Sequence, residues 1–559
     1  MPIEDYIDPR EVEPNALTFE DVRALGEAAD RAISVLADGE AKGPDVTAAS
    51  ILLWVENLFL RERGEQDYTA MVCPALDHVV PHVARGQQPH AVEAEDVARA
   101  RQLIAASFAY HRVTDGLMNV AQGRMEARRA IADGRVVIVP TGSLQAELRT
   151  RWFEHRWRAA RRIQGAGVIP RNYRDVVPLL DEQITRQWGT VLQGIYEPPE
   201  AAWYEDYCAE FVDNALEGQF EHVGPNEVWA GLATATLKNA LRPVWMRAAR
   251  RLLGHLRALK WLKDVAGRPN TTLLTAIERV GAGDLIGEFM AVGLAEPAAN
   301  ALLTSITRRG HGERFPIESY PLVPLTDGTF AFIPSCVLYG NWPMSREKAA
   351  AREGGGGIGN VRDDRNLARI VQGLRDSGFA GRTETEIVVY DEHRQAITDL
   401  DVVCISQDLN DVLVLQVKSF VTPLNLLDLQ RADDDVAEGI RQCRAADNNR
   451  DHTRRAIEAR IGSALEPTWT VHQCVVTEAF TGTHAPDPEY PVVSMEWLAS
   501  EGIPALRDAG ARALLDRARA LPDARDFFES YRPELEPVDD GTAGFRSGTS
   551  YALFAYSSL

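Results

Sequence analysis

Two apolar, β-branched segments separated by a short polar break constrain the fold of this chain more than any other feature. They lie within Ala396–Phe420, where Gln407–Asp411 interrupts the apolar pattern. Runs of this composition bounded by turn residues are typical of strands, and a short polar break between them is typical of a hairpin. We therefore predict a buried β-hairpin with strands at Ala396–Ser406 and Val412–Phe420.

Polar side chains interrupt both predicted strands. The first carries Asp399 and Asp401, and the second carries Gln416 and Lys418. Because side chains alternate along a strand, residues two apart are expected to share a face. The hairpin is therefore expected to bring Asp401, Gln416 and Lys418 together on one face of a sheet.

An acid, an amide oxygen and an ammonium at one place have a chemical use. A hard cation such as Mg²⁺ takes oxygen ligands, usually one or two carboxylates, and it polarises a phosphoryl oxygen. A nearby ammonium offsets charge that develops in the transition state. An ordinary ion pair between Lys418 and Asp401 is the structural alternative, because an unpaired buried charge is costly.

The pattern D…QxK on two neighbouring strands resembles the PD-(D/E)XK nuclease superfamily, in the Mrr-like variant that has Gln before x-Lys. The flanking pattern has the αβββαβ order of that restriction-endonuclease-like core and covers residues 361–498. The other predicted elements are helices at Asp364–Ser377 and Leu426–Ala446, and strands at Glu384–Tyr390, Thr470–Thr477 and Pro491–Met495.

The resemblance implies phosphodiester hydrolysis with Mg²⁺ or Mn²⁺ as the cofactor. It assigns metal binding to Asp401, the variant ligand position to Gln416 and the catalytic lysine to Lys418. Asp399 takes the first place of the acid-x-Asp motif seen in many members. Gln442 takes a helix position that often carries a polar active-site residue, and a solvated position is its alternative.

The chain departs from the family pattern on the first helix. Many members have a glutamate there, about eleven residues before a glycine, and counting back from Gly378 reaches Leu367. Glu384 and Glu386 on the next strand are candidates for the second carboxylate and metal ligand, and we favour Glu386. Two further acids, Asp363 and Asp364, lie about one helical turn earlier.

Composition and charge limit the cellular location of the protein and the kinds of partner it is expected to have. The chain has 559 residues, six scattered cysteines without a CxxC pair, and a net charge of −21. Isolated thiols indicate a reducing compartment, and the sequence has neither a recognisable signal peptide nor a long apolar span. We therefore expect a cytoplasmic protein without a membrane partner.

Two basic stretches reverse the acidic balance. Arginines are interleaved there with tryptophan and other aromatic residues, which is a pattern for phosphate contacts and base stacking. The candidate nucleic-acid ligands are Arg156, Arg158, Arg162, Arg247, Arg250 and Arg251. The alternative is that both stretches are helices whose tryptophans fill a core and whose arginines pair with acids.

The predicted fold class is multidomain α + α/β. A mainly helical region at residues 1–310 would contact nucleic acid or, as another open alternative, a protein partner or a second copy of the chain. A β-containing connector and Gly-rich linker follow at 311–359. The nuclease-like domain then occupies 360–500, and a C-terminal helix and tail occupy 501–559.

The sequence thus predicts a metal-dependent nuclease acting on nucleic acid, with DNA favoured over RNA by the resemblance. A role in restriction or anti-phage defence is an expectation by analogy. Two alternatives stay open: a catalytically inactive nuclease-fold scaffold, and an RNA-processing nuclease.

Overall fold

The structure is a computed structural model that shows two compact units. It describes residues 7–38, 43–62, 75–77, 92–121, 123, 125–141, 173–220, 228–229, 231–308, 317, 320–340, 342, 357–419, 426–478, 487, 489–520, 534–538 and 547–555. Described residues of the first unit fall within Met1–Thr141, Ala160–Arg346 and Pro533–Leu559. Those of the second fall within Glu347–Arg532.

Helices dominate the first unit, because apolar residues recur at three- and four-residue spacing and give each helix a face to bury. The described helices are α1 (Phe19–Asp38), α2 (Pro44–Glu62), α3 (Ala94–Ala121), α4 (Tyr173–Arg186), α5 (Trp188–Val191), α6 (Ala202–Phe220), α7 (Thr234–Asp264), α8 (Ala282–Ala291), α9 (Glu296–Ile306) and α10 (Pro334–Tyr339). A large core surrounds α7, where Trp245 is fully buried and its ring centroid lies 6.1 Å from that of Trp342.

Short sheets complete the first unit. The strands are β1 (Met125–Arg129), β2 (Val136–Pro140), β3 (Val228–Trp229), β4 (Leu232–Ala233), β5 (Glu278–Gly281), β6 (Val323–Pro324), β7 (Thr329–Phe332), β13 (Glu534–Val538) and β14 (Tyr551–Ala555). A hairpin joins β6 and β7 through Asp327–Gly328, and Gly328 has the positive φ that such a turn requires.

The C-terminal part of the chain is divided differently from the predicted domain scheme. Strand β14 pairs in parallel with β2 in a four-stranded sheet of order β1-β2-β14-β13. The helix predicted for the tail instead packs in the second unit. The connector residues described up to Trp342 belong to the first unit, whereas Gly357, within the predicted Gly-rich linker, already begins a helix of the second unit.

The second unit is a mixed five-stranded sheet with helices on both faces. Its described helices are α11 (Gly357–Asp376), α12 (Leu426–Asn448), α13 (Arg450–Ile461), α14 (Met495–Trp497) and α15 (Ile503–Arg519). Its strands are β8 (Arg382–Tyr390), β9 (Ala396–Ile405), β10 (Asp411–Lys418), β11 (Thr470–Thr477) and β12 (Val492–Ser494).

The strand order of this sheet is β12-β11-β10-β9-β8. Strands β8, β9 and β10 are antiparallel neighbours, whereas β10, β11 and β12 run parallel. One face packs against α11 and α15, and the other packs against α12 and α13. The predicted hairpin is therefore observed, and it lies at the centre of the sheet.

The coarse fold prediction is confirmed: the N-terminal half is helical and the C-terminal part contains a mixed sheet with helices. Helix α13 also covers the outer edge of β8, because Arg460 donates to the Thr385 carbonyl at 3.3 Å and a ring nitrogen of His452 lies 3.0 Å from the Tyr390 carbonyl. None of the described helices combines the length and apolarity needed to cross a bilayer.

Candidate active site at a gap between two central strands

The backbone ladder between β9 and β10 ends in the middle of the sheet. Its last pair is Leu415 opposite Val402. Beyond this pair, the two strands are joined by hydrogen bonds in which one partner is a side chain. The Val417 N–H donates to Oδ2 of Asp401 at 2.6 Å, and Nε2 of Gln416 donates to the carbonyl of Asp399 at 2.7 Å. The Asp401 carboxylate is therefore fixed in a gap between two central strands.

The regular pleat of β9 breaks at Asp401. Val402 belongs to the core under α11 and α15, whereas Leu400, two residues away, belongs to the core under α13. Opposite Asp401, on β8, Glu386 has a left-handed φ of 54°, which is unusual for a residue with a side chain. The simple alternation from which a shared face for Asp399 and Asp401 was predicted therefore does not continue through Asp401.

Gln416 presents a buried oxygen at this gap. The residue is fully buried, and its Oε1 has no hydrogen-bond partner among the residues that the structure describes. It lies opposite Val475 on β11, beneath α12. A buried amide oxygen without a partner is costly, so this atom is suited to accept a donor or to bind a cation.

Lys418 lies on the α12 side of the sheet. A Cβ placed on Gly439 of α12 would lie 3.3 Å from Cγ and Cε of Lys418, so the lysine stem runs along the glycine. Burial raises the pKa of the Cys443 thiol on the same helix, the nearby acids including Asp401 raise it further, and Lys418 acts in the opposite direction. The charges of Asp401 and Lys418 thus act on one buried thiol.

Asp399 supplies a second carboxylate beside the gap. Its side chain is exposed, and Oδ1 accepts a hydrogen bond from Nε2 of Gln442 at 2.6 Å. Gln442 comes from α12, and its own buried Oε1 has no hydrogen-bond partner in the ranges that the structure describes. The sequence left two interpretations of Gln442 open. In the structure its side chain contacts Asp399, an acid of the predicted motif.

The two glutamates proposed from the sequence are placed less favourably. The carboxylate of Glu384 is paired with Arg460 at 3.2 Å and with Arg382 at 3.7 Å. Glu386 is exposed at its left-handed position. Asp399 is therefore the better candidate for a second carboxylate. The side chains of Asp363 and Asp364 lie outside the described residues.

A further polar cluster lies at the ends of β10 and β11, and sequence reasoning missed it. Asn366 of α11 is fully buried, and its Nδ2 donates to Oγ of Ser419 at 2.8 Å and to Oε1 of Glu478 at 3.0 Å. Glu478 also meets Arg365 at 3.4 Å. The available signal was an asparagine beside the apolar stripe of a helix that packs against a central sheet.

The oxygen donors at the gap suit a hard divalent cation. Asp401 and Asp399 offer carboxylates, and Gln416 offers the buried oxygen without a partner. Across the described residues, three or more His, Cys, Asp or Glu side chains do not converge on one point as a metal cage would require. Mg²⁺ is commonly held by one or two carboxylates together with water and substrate phosphates, so this donor set matches its needs.

The basic residues predicted to contact nucleic acid are engaged elsewhere or undescribed. In the first unit, Glu278 is 6% exposed and pairs with Arg247 at 3.0 Å and with Arg251 at 2.6 Å. Arg250 pairs with Glu205 at 3.1 Å. This is the arrangement expected from the alternative interpretation, in which the arginines pair with acids. Three further predicted ligands lie outside the described residues, namely Arg156, Arg158 and Arg162.

Comparisons with known proteins leave the chain's own geometry as the basis for any functional conclusion. No family model, no curated protein and no solved structure matches this chain.

Proposed function

We propose that this chain is a metal-dependent nuclease that hydrolyses phosphodiester bonds at the gap between β9 and β10. One observation carries the proposal. The Asp401 carboxylate is fixed by the Val417 N–H, and the buried Oε1 of the adjacent Gln416 has no hydrogen-bond partner within the described part of the chain. A sheet interior normally excludes such oxygen atoms unless they bind something.

The cation would be held by Asp401, by Oε1 of Gln416 and by Asp399. Mg²⁺ or Mn²⁺ bound there would polarise the phosphoryl oxygens and offset their negative charge. Gln442 would keep the Asp399 carboxylate oriented through its 2.6 Å hydrogen bond, because hydrogen bonds to ligand carboxylates set their direction. Glu386 and Glu384 would lie outside the ligand set.

Lys418 would act on the substrate. Its ammonium cannot ligate a metal while it is protonated, but it can orient the attacking water and stabilise the charge that grows on the phosphoryl oxygens. Its stem lies against Gly439 and its backbone continues the strand that carries Gln416. The ammonium and the amide oxygen of Gln416 are thereby attached to the same strand, while Asp401 and Asp399 come from the neighbouring strand β9.

The order of elements in the second unit supports the same proposal. A helix, three antiparallel strands, a helix pair and a parallel strand follow one another in the chain. This order is the one that the D…QxK resemblance implies for the nuclease core. The resemblance also favours DNA over RNA as the substrate and a role in restriction or anti-phage defence.

A substrate panel tests this function. Full-length protein would be incubated with double-stranded DNA, single-stranded DNA and RNA, with Mg²⁺, with Mn²⁺ or with EDTA. We expect metal-dependent cleavage of at least one substrate, with DNA preferred. The Gln416→Glu variant should keep or strengthen metal binding, because a carboxylate is a stronger ligand for a hard cation than an amide. Cleavage that persists undiminished in EDTA would contradict the proposal.

A further inference from the structure

Asn366 connects the ends of the two central parallel strands. It lies on α11 and is 0% exposed. Strand β10 ends at Lys418 and β11 ends at Thr477, and these two residues form the last pair between the strands. Asn366 donates to the residue that follows each of them, Ser419 and Glu478.

The side chain of Ser419, the residue next to Lys418, is therefore held at a point where a strand would otherwise fray. The ends of elements open more easily than their centres, because fewer contacts restrain them. One amide group bridges both ends at 2.8 and 3.0 Å. The second contact of Glu478, with Arg365 at 3.4 Å, ties the same end to α11 a second time.

The side chain of Lys418 is restrained from the opposite face. Gly439 of α12 leaves room for the lysine stem, since a Cβ there would approach Cγ and Cε of Lys418 to 3.3 Å and Cγ1 of Val475 to 2.9 Å. A side chain at position 439 would have to displace the lysine or the valine. The absence of a Cβ therefore defines the slot that Lys418 occupies.

The cost of burying Asn366 indicates that its amide has a role beyond packing. Its Oδ1 is buried and has no hydrogen-bond partner among the described residues, and leaving such a group unpaired is costly. Leucine has a similar size and would fill the space between α11 and the sheet without this cost. The two hydrogen bonds to the strand ends are what the asparagine provides and leucine cannot.

We propose that Asn366 is a positioning residue for Lys418: it fixes the end of β10 so that the ammonium, guided by the Gly439 slot, is directed at a phosphoryl group beside the cation site of Asp401. This inference rests on the proposed nuclease function. A displacement of about 1 Å in a catalytic group can cost on the order of 100-fold in rate. Loss of the Asn366 hydrogen bonds to Ser419 and Glu478 should therefore reduce turnover far more than substrate affinity.

The test uses full-length protein with Asn366→Leu, and with Asn448→Leu as the control because Asn448 is an exposed asparagine of the same unit. We expect Asn366→Leu to lower kcat by on the order of 100-fold. KM and the Mn²⁺ affinity should stay within about twofold, since this change leaves the ligands in place. The control should match wild type.

A rescue separates positioning from general destabilisation. Asn366→Asp combined with Glu478→Gln exchanges donor and acceptor across the same contact, and it should restore most of the turnover that Asn366→Asp alone loses. A thermal melt accompanies each variant. The inference is overturned if Asn366→Leu cleaves like wild type, or if its loss follows a lowered Tm and the exchange restores nothing.

A second readout does not depend on cleavage. Reductive methylation of Lys418, followed by mass spectrometry, reports how freely its amine moves and reacts. Methylation should be faster in Asn366→Leu than in wild type and unchanged in the control; equal rates would refute the inference. If wild type cleaves no substrate, the proposed function fails, and the methylation rates still decide whether Asn366 positions Lys418.

Discussion

Glu56 makes the stability of the first unit depend on pH, and one substitution can remove this dependence. It lies on α2, is fully buried, and accepts hydrogen bonds from the hydroxyl and the N–H of Ser335 at the start of α10. Its other oxygen, Oε1, has no hydrogen-bond partner among the described residues. Burial raises the pKa of this carboxyl from 4.5 to about 8, and the Ser335 bonds only partly oppose the change.

The direction of the effect follows from proton binding. Above pH 4.5 the unfolded chain loses the Glu56 proton, whereas the folded protein keeps it until about pH 8. The unfolded state therefore binds fewer protons in this window, and the free energy of unfolding falls as the pH rises. Each pH unit in the window is worth about 1.4 kcal/mol, so the cost at pH 7 is roughly 3 kcal/mol.

Glu56→Gln removes this titration while keeping the side-chain shape and an oxygen for Ser335. At pH 7 the variant should resist unfolding better than wild type by up to roughly 3 kcal/mol, and at pH 5 the two should be nearly equal. Burial also raises the pKa of the neighbouring Tyr339 hydroxyl to about 12, so that group stays neutral throughout.

The assay is urea or thermal unfolding at pH 5, 6, 7 and 8, followed by the fluorescence of the buried Trp245 and Trp342. Two units need not unfold together, so the transition that these tryptophans report is the one compared. Glu200→Gln, at an exposed position, is the matched control. A variant advantage that is constant with pH, or largest at pH 5, would refute the reasoning.

Three further predictions concern other buried polar groups. Burial lowers the pKa of His255 to about 3, so acidification below pH 6.5 should destabilise wild type more than His255→Gln, as measured by unfolding between pH 6.5 and 4. Glu278→Gln removes the shared partner of two arginines and should lower the free energy of unfolding by about 2 kcal/mol in urea titrations, whereas no change would show that the pairing is unimportant. Gln442→Leu should weaken Mn²⁺ binding by about tenfold in calorimetry, because Asp399 loses the donor that orients it.

The sequence predicted the central hairpin because its two strands are continuous runs of β-branched and aliphatic residues. Buried parallel and central strands have this composition, and the observed β9 and β10 agree with the predicted spans to within about two residues at each end. The same reasoning located Asp401, Gln416 and Lys418, since polar residues in such strands need a partner. Local composition was sufficient for these elements.

Other features of the site depend on tertiary structure and could not be predicted in this way. Glu386 adopts a left-handed conformation opposite the point where the pleat of β9 breaks. A glutamate in a sequence does not indicate such a conformation, because residues with a side chain rarely adopt it. The strand position of Glu384 made it a candidate ligand, but Arg460, which is distant in the sequence, forms an ion pair with it. Asn366 contacts residues more than 50 positions away. Each of these depends on which helix covers which part of the sheet.

The central claim, that Asp401 binds a cation while Lys418 acts on the substrate, is tested most directly by separating metal binding from cleavage. Mn²⁺ binding by calorimetry and cleavage of the best substrate would be measured on wild type, Asp401→Asn and Lys418→Met. We predict that both variants lose cleavage, that only Asp401→Asn loses Mn²⁺ binding, and that Lys418→Met binds Mn²⁺ within about twofold of wild type because a protonated lysine is not a ligand. Cleavage that survives in both variants, or Mn²⁺ binding that is unchanged in Asp401→Asn, would contradict the claim.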